Sequence, residues 1–393
     1  MSRLLLFLLG IVVLIGAEFL KVYYIMPFPG SQEDETIRFA YMLHNNIWWF
    51  HILGIALIAW PTWTYLTSGK IWAQWPTVVA IGLWLFIAYM TNFRLLADKM
   101  FEQPKHTNLL SVSDNKIPLK DLVIGVTIDG QSKAYPVEII GYHHQVRDSL
   151  AGKPIMVTYC TVCRTGRVFS PIVDGQPETF RLVGMDHFNA MFEDSRTKSW
   201  WRQVNGEAIV GELKGKQLDE IPSQQMSLSA WIDFNPDTKI MQRDENYIAR
   251  YDSLGLYDEG KMKGRLEGTD SVSWGDKSWV IGVQTGGHAK AYDWIETLKT
   301  SVVNDTVGTT PVVVAIEPDG VSFHVWQRPD TLQFLLDHGQ LRDLGTNSIW
   351  NWQGKCVEGP LAGNQLQYQQ AYQEYWHSWR TFRPHTTSYR LKD

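Results

Sequence analysis

Three apolar runs lead the chain, over 4–26, 47–66 and 71–89. The first is broken only by Glu18 and Lys21 near its end, the second carries His51 and Pro61, and the third has no charge. Each is long enough to cross ~30 Å of hydrocarbon as a helix. Trp48, Trp49, Trp60, Trp63, Trp72 and Trp75 fall near the ends of the runs, where indole rings favour the headgroup layer. The first run also carries marks of a signal peptide, Arg3 before an apolar stretch and then Gly16-Ala17. Two further runs favour an uncleaved helix instead. The expectation is a membrane region over 1–100 with three transmembrane helices, the last two forming a hairpin around 67–70. The lipid bilayer is then a partner.

Glu18 and His51 are ionisable groups inside apolar runs. One reading is a proton or ligand site between helices. The plainer one, which we prefer on sequence, pairs Glu18 with Lys21 and lets His51 bond a neighbouring helix. Arg3 and Lys70 fall on one side of the membrane, and the acidic loop 31–35 falls on the other with everything after Tyr89. An inside N-terminus places the large domain outside. Arg94, Lys99 and Lys105 oppose this by the positive-inside rule; the external placement is the one expected.

From residue 101 the pattern turns polar, with Gly and Pro punctuation. Runs at 123–128 and 132–135 flank Asp129-Gly130, a hairpin signal. Runs at 155–159 and 167–169 predict strands, and 311–316 and 321–326 flank Asp319-Gly320. The stretch 136–142 suits a short helix with Pro at its start. Segments recur. Ile124-Gly125-Val126 returns as Ile281-Gly282-Val283 and Lys133-Ala134-Tyr135 as Lys290-Ala291-Tyr292, both 157 residues later. Trp231, Phe234 and Pro236 return as Trp379, Phe382 and Pro384, 148 residues later. The predicted fold is therefore a β-rich α+β soluble domain of two related repeats in a pseudo-two-fold pair, behind three transmembrane α-helices. Its boundaries are 101–245 for the first repeat and 246–393 for a degenerate second repeat with its linker.

A net charge of −5 without a basic tract argues against nucleic acid as a partner. Three cysteines are too few for a disulfide scaffold. Cys356 stands alone and reads as a small buried hydrophobe. Cys160 and Cys163 form a Cys-x-x-Cys. In the repeat alignment they fall on Glu317-Pro318-Asp319-Gly320, a plain β-turn. The pair thus occupies a hairpin turn, as in a zinc knuckle, and not the start of a helix as in a thioredoxin-type pair. His143 and His144 align with Thr300 and Ser301, so the second repeat lacks both thiols and both imidazoles. Residues absent together are candidates for one site.

That site is read as a metal centre of Cys2His type, with Cys160, Cys163, His143 and His144 as candidate ligands and zinc or copper as the ion. His143 is preferred over His144 because neighbouring side chains diverge. His187 is a weaker third candidate. Asp148, Asp194, Arg196 and Arg202 are pocket candidates, Asp148 with a structural turn or cap role because it is retained as Asp305. Two alternatives stand beside the metal: a thiol–disulfide enzyme cycling Cys160 and Cys163, and a binding module using aromatic surfaces. A disulfide stapling the turn is the inert version. Arg164 stands where c-type haem attachment needs His, and no G-x-S-x-G, H-E-x-x-H or Walker loop is present.

Ala134-Tyr135-Pro136, His143 with Asp148, Pro154-Ile155 and Thr158-Tyr159-Cys160-Thr161-Val162-Cys163 follow one another in order. Asp194-Ser195-Arg196-Thr197-Lys198-Ser199-Trp200-Trp201 and a Gly211 to Leu218 block come next. On these motifs the chain resembles the prokaryotic domain of unknown function 3179 family (DUF3179) over about 110–390. It departs in Arg147, where the family has Asn, and in Thr161-Val162, where the family has Pro-Leu. The resemblance implies no activity. It does imply a prokaryotic protein, here of the inner membrane with the large domain on the external, periplasmic side, and it leaves any membrane or periplasmic protein partner unknown.

Overall fold

A computed structural model describes residues 2–391. The chain forms two compact units. One holds the residues up to Glu102 together with Thr179–Arg202 and Glu207–Lys216, and the other holds the remainder.

The first unit begins with α1 (Arg3–Tyr23), α2 (Ile37–Leu66) and α3 (Ile71–Tyr89), which runs into a π-helical turn at Met90–Arg94. All three are long and apolar enough to cross a membrane. The six tryptophans near the ends of the apolar runs are all exposed. Helix α1 stops at Tyr23, and α2 starts at Ile37 instead of 47. The extra turns form because Ile37, Ala40, Leu43 and Ile47 make one buried stripe at helical spacing. Helices α1 and α2 approach closely at glycines: a Cβ on Gly54 would lie 2.5 Å from Leu14, and one on Gly10 would lie 2.4 Å from Ile58.

The same unit contains a four-stranded antiparallel sheet, in the order Ala208–Val210, Trp200–Arg202, Asn189–Asp194, Phe180–Asp186. Its Val183, Met191, Trp200, Ile209 and Val210 share one apolar cluster with Ile25, Ile37 and Ala40. The amide of Met185 donates to the Ile25 carbonyl at 2.8 Å. The sheet therefore packs on the end of α1 and the start of α2.

The second unit is mostly β-sheet with short helices. Strands Leu122–Ile128 and Gln131–Pro136 pair around Asp129-Gly130. Both turn residues have positive φ, at 49° and 78°, as a type I′ hairpin requires. Helix Val137–His143 follows, then the three-stranded sheet Gln145–Leu150, Lys153–Cys160, Thr165–Phe169. Later in the chain Trp279–Thr285 and His288–Asp293 pair, helix Trp294–Thr300 follows, and strands Val302–Val307, Thr310–Ile316 and Phe323–Gln327 come next.

Local contacts recur as well. A Cβ on Gly125 would lie 2.2 Å from the Trp231 ring, and one on Gly282 would lie 2.1 Å from the Trp379 ring. The Tyr135 hydroxyl donates to Asp148 at 2.8 Å and that of Tyr292 to Asp305 at 2.9 Å. Asp148 is thus a strand residue holding Tyr135 and Lys133, and not the turn or cap residue expected from sequence.

Candidate functional site

Strand Lys153–Cys160 turns back into Thr165–Phe169, and Cys160 pairs with Thr165 across the ladder. The Cys-x-x-Cys is therefore the hairpin turn. Arg164 closes it with a φ of 56°. Both cysteines are free thiols and fully buried. Burial, then the hydrogen bond shared with Cys160, pushes the Cys163 thiol well above its ordinary range. A hydrogen bond to Ser378 and the charge of Lys277 act in the opposite direction.

Three consecutive backbone carbonyls of the turn are held from outside it. The Thr161 carbonyl accepts from the Tyr257 hydroxyl at 2.9 Å. The Val162 carbonyl takes Lys277 Nζ at 2.5 Å and His377 Nε2 at 3.1 Å. The Cys163 carbonyl accepts from the Tyr375 amide at 2.9 Å. Arg164 is fully buried, lies over the rings of Tyr257 and Trp279, and donates Nε to Gln373 at 2.8 Å. Arg167, two residues into the returning strand, pairs with the buried Glu374. Burial, with Lys277 adding to it, lowers His377 to about 4, so its ring is neutral. Lys277 is itself lowered by burial, and the two cysteines work against that shift.

The segment after residue 250 clasps the same hairpin. Tyr257 is buried against Tyr159 and Arg164. Asp258 accepts the Leu122 amide on Oδ2 at 2.9 Å, and its Oδ1 is buried with no hydrogen-bond partner among the described residues. Burial pushes Asp258 up to about 7.

The two histidines expected beside the thiols are placed by tyrosines. His143 ends its helix fully buried, with Nε2 2.8 Å from the Tyr251 hydroxyl and its ring within 6 Å of those of Tyr142, Tyr247 and Tyr251. His144 is the left-handed C-cap of that helix, at φ 61°. Its Nδ1 lies 3.2 Å from the Tyr142 carbonyl, and burial lowers it to about 4. Among the described residues no group of three or more His, Cys, Asp or Glu could hold a metal ion. Cys160 and Cys163 share the hairpin turn and, among the described residues, belong to no such group.

The remaining candidates serve local structure. Asp194 accepts from the Thr197 amide at 2.6 Å and from Trp201 Nε1 at 2.9 Å. Asp343, Thr346 and Trp350 repeat this arrangement. Arg202 donates to Asp186 at 2.5 Å, and His187, in a turn, bonds the same carboxylate at 2.8 Å. Arg196 is exposed, and Cys356 is buried as expected.

Sequence reasoning missed Lys277, His377 and Ser378. They come from the second half of the β-rich region, more than a hundred residues from the cysteine pair. Their aligned positions, Lys120, Ser229 and Ala230, carried a usable signal only at 377 and 378. No curated protein and no solved structure matches the chain. The family described as "Protein of unknown function (DUF3179)" matches residues 102–386, most of the chain. That stretch runs from the start of the β-rich region through the helix that supplies His377 and Ser378, and on this match the chain belongs to that family.

Proposed function

We propose that this is a membrane-anchored metal-binding protein whose ion is held by Cys160 and Cys163, and that the ion is copper(I). One observation carries the reading: two buried thiols share one turn whose Val162 carbonyl takes the Lys277 ammonium, and among the described residues no group of three or more His, Cys, Asp or Glu could hold an ion. Zinc asks for three or four protein ligands. Thiolate selects soft ions such as Cu(I), for which two sulfurs suffice. Loading releases both thiol protons and leaves a net charge of −1 on the bis-thiolate ion, which Lys277 offsets. Histidines 143 and 144 then act as packing residues and not as ligands.

Several features support the rest of the reading. Tryptophans exposed at both ends of the apolar helices match two headgroup layers. Trp48 and Trp63 lie about 22 Å apart along the helix, a little less than a hydrocarbon core. The acidic 31–35 loop favours the external side for the large domain, in a prokaryotic inner membrane. The recurring order of strands and helices, with the paired Gly–Trp and Tyr–Asp contacts, favours two related repeats, of which the second lost the thiols. The aromatic-surface reading is disfavoured, because Trp200, Trp201, Trp231, Trp326 and Trp379 are core residues.

The test is Cu(I) titration of the full chain in detergent, without oxygen, against a competing chelator. One copper per chain is expected, lost in Cys160→Ser and in Cys163→Ser and retained in His143→Ala. Loss in His143→Ala restores a Cys2His site. No copper in the wild type, with a disulfide formed under mild oxidant, supports thiol–disulfide exchange instead.

A further inference from the structure

The polar groups within the apolar helices are gathered at one point. Glu18 is fully buried on α1. Its Oε1 lies 2.7 Å from His51 Nε2 of α2, and its Oε2 accepts from Thr91 Oγ1 at 2.5 Å. Asn92 donates Nδ2 to both oxygens, at 3.0 and 2.9 Å. Lys21 Nζ stands 3.5 Å from the same carboxylate and donates to Asn92 Oδ1 at 2.5 Å. Two consecutive residues of one helix rarely face one target. The π turn at Met90–Arg94 makes it possible here, and such turns mark functional positions more often than chance. The cluster lies about one turn inside Trp48 and Trp49, so it is close to one headgroup layer.

A cavity of ≈10 Å³, room for about one water, adjoins the cluster. Lys21 and Thr91 form one wall, and His44 and Arg181 form another. His44 precedes His51 on α2, across a non-helical break at Asn46. Its Nε2 is 3.4 Å from Arg181 Nη2 and 4.0 Å from Glu193, while its buried Nδ1 has no hydrogen-bond partner among the described residues. Arg181 also bonds Glu193, and Asp98 lies 3.8 Å from it. A polar line therefore runs from the sheet side to Glu18. Among the described residues, the charged or titratable groups along it include Lys21, Tyr41, His44, His51, Asp98, Arg181 and Glu193.

We propose that Glu18 and His51 form a proton-binding site within the helix bundle, loaded from the sheet side through this water-sized cavity. Lys21 stands beside the carboxylate as its ion-pair partner. On uptake a hydronium ion in the cavity gives its proton to Thr91 Oγ1 as the hydroxyl proton passes to Glu18 Oε2. One O–H bond breaks at the hydronium, one forms on the carboxyl, water is left behind and no electrons move. The hydrogen bond between Oε1 and Nε2 offers His51 as the alternative carrier. A static buried ion pair would not need the cavity or the second histidine that lines it. The inference is independent of the copper site and rests on the helices lying in lipid.

The test uses the full chain in lipid nanodiscs, with infrared spectroscopy for the Glu18 carboxyl and nitrogen NMR for His51. Both signals are expected to change together as the pH is lowered. Glu18→Gln should remove the carboxyl band and lower the His51 midpoint by about one pH unit or more. His51→Asn, which retains a polar partner, should move the Glu18 midpoint without unfolding the bundle. Val22→Phe, filling the cavity, should leave the midpoint in place and slow deuterium exchange at Glu18. Signals unchanged from about pH 4 to 9 overturn the site, and unchanged exchange in Val22→Phe overturns the route. Flotation with lipid checks the membrane placement separately, and copper loading is measured on the same sample.

Discussion

Asp258→Asn isolates the cost of seating a carboxyl against the Leu122 amide, beside the segment that clasps the Cys-x-x-Cys hairpin. Asp258 is raised from 3.8 to about 7, first by burial and then by Asp121 and Glu138, against the Leu122 amide and Arg164. Between those two values the folded chain keeps a proton that the unfolded chain has released. Stability from this group is therefore complete below about pH 4, declines as pH rises, and is gone above about 7. Moving the carboxyl over that range corresponds to at most ~4 kcal/mol. The side chain is part-exposed and one oxygen is hydrogen-bonded, which reduces the expected value to ~1–2 kcal/mol. Asparagine stays neutral throughout and keeps an acceptor for Leu122. Its advantage over the wild type should grow by that amount from about pH 4.5 to 8, or a few degrees in Tm for a unit of this size. Asp121, raised to about 6 mainly by burial, is present in both proteins and cancels to first order. Thermal unfolding in detergent at several pH values gives the difference directly. A difference that stays constant across the range refutes the role assigned to Asp258.

Gly125→Ala places a methyl 2.2 Å from the Trp231 ring, where contact needs about 3.5 Å. A loss of ~2–3 kcal/mol in chemical unfolding is expected, with a change in near-ultraviolet circular dichroism as the indole moves; Gly282→Ala should behave alike through Trp379. Asp194→Ala leaves Trp201 Nε1 and the Thr197 amide without their carboxylate and should cost ~2–4 kcal/mol while copper stoichiometry holds. A stable Asp194→Ala that loses copper would return that residue to the functional site.

Much of the architecture was readable because it rests on short-range rules. Apolar length marks the three helices, and Asp129-Gly130 marks a hairpin because few residues accept two positive φ values. The comparison of recurring segments placed Cys160 and Cys163 in a turn, and they are in one. The ends of the helices were less readable. The stretch 37–46 carries too many polar residues to look like a span, and it is helical because a sheet far along the chain covers its apolar stripe. The setting of His143 depends on longer-range packing. His143 sits at a helix end whose direction aims it at Tyr251, and Tyr247 and Tyr251 come from about a hundred residues later.

The amino-acid sequence by itself determined the apolar helices, the hairpin that carries the cysteine pair, and the family, since each depends on neighbours along the chain. Only the tertiary structure decided what meets the thiols and what meets Glu18. Lys277 reaches the Val162 carbonyl and Ser378 the Cys163 thiol from two segments, each more than a hundred residues away, and a π turn some seventy residues on brings Thr91 and Asn92 to Glu18. Burial, which sets the charge state of such groups, is a property of everything packed around them, and no local pattern encodes it.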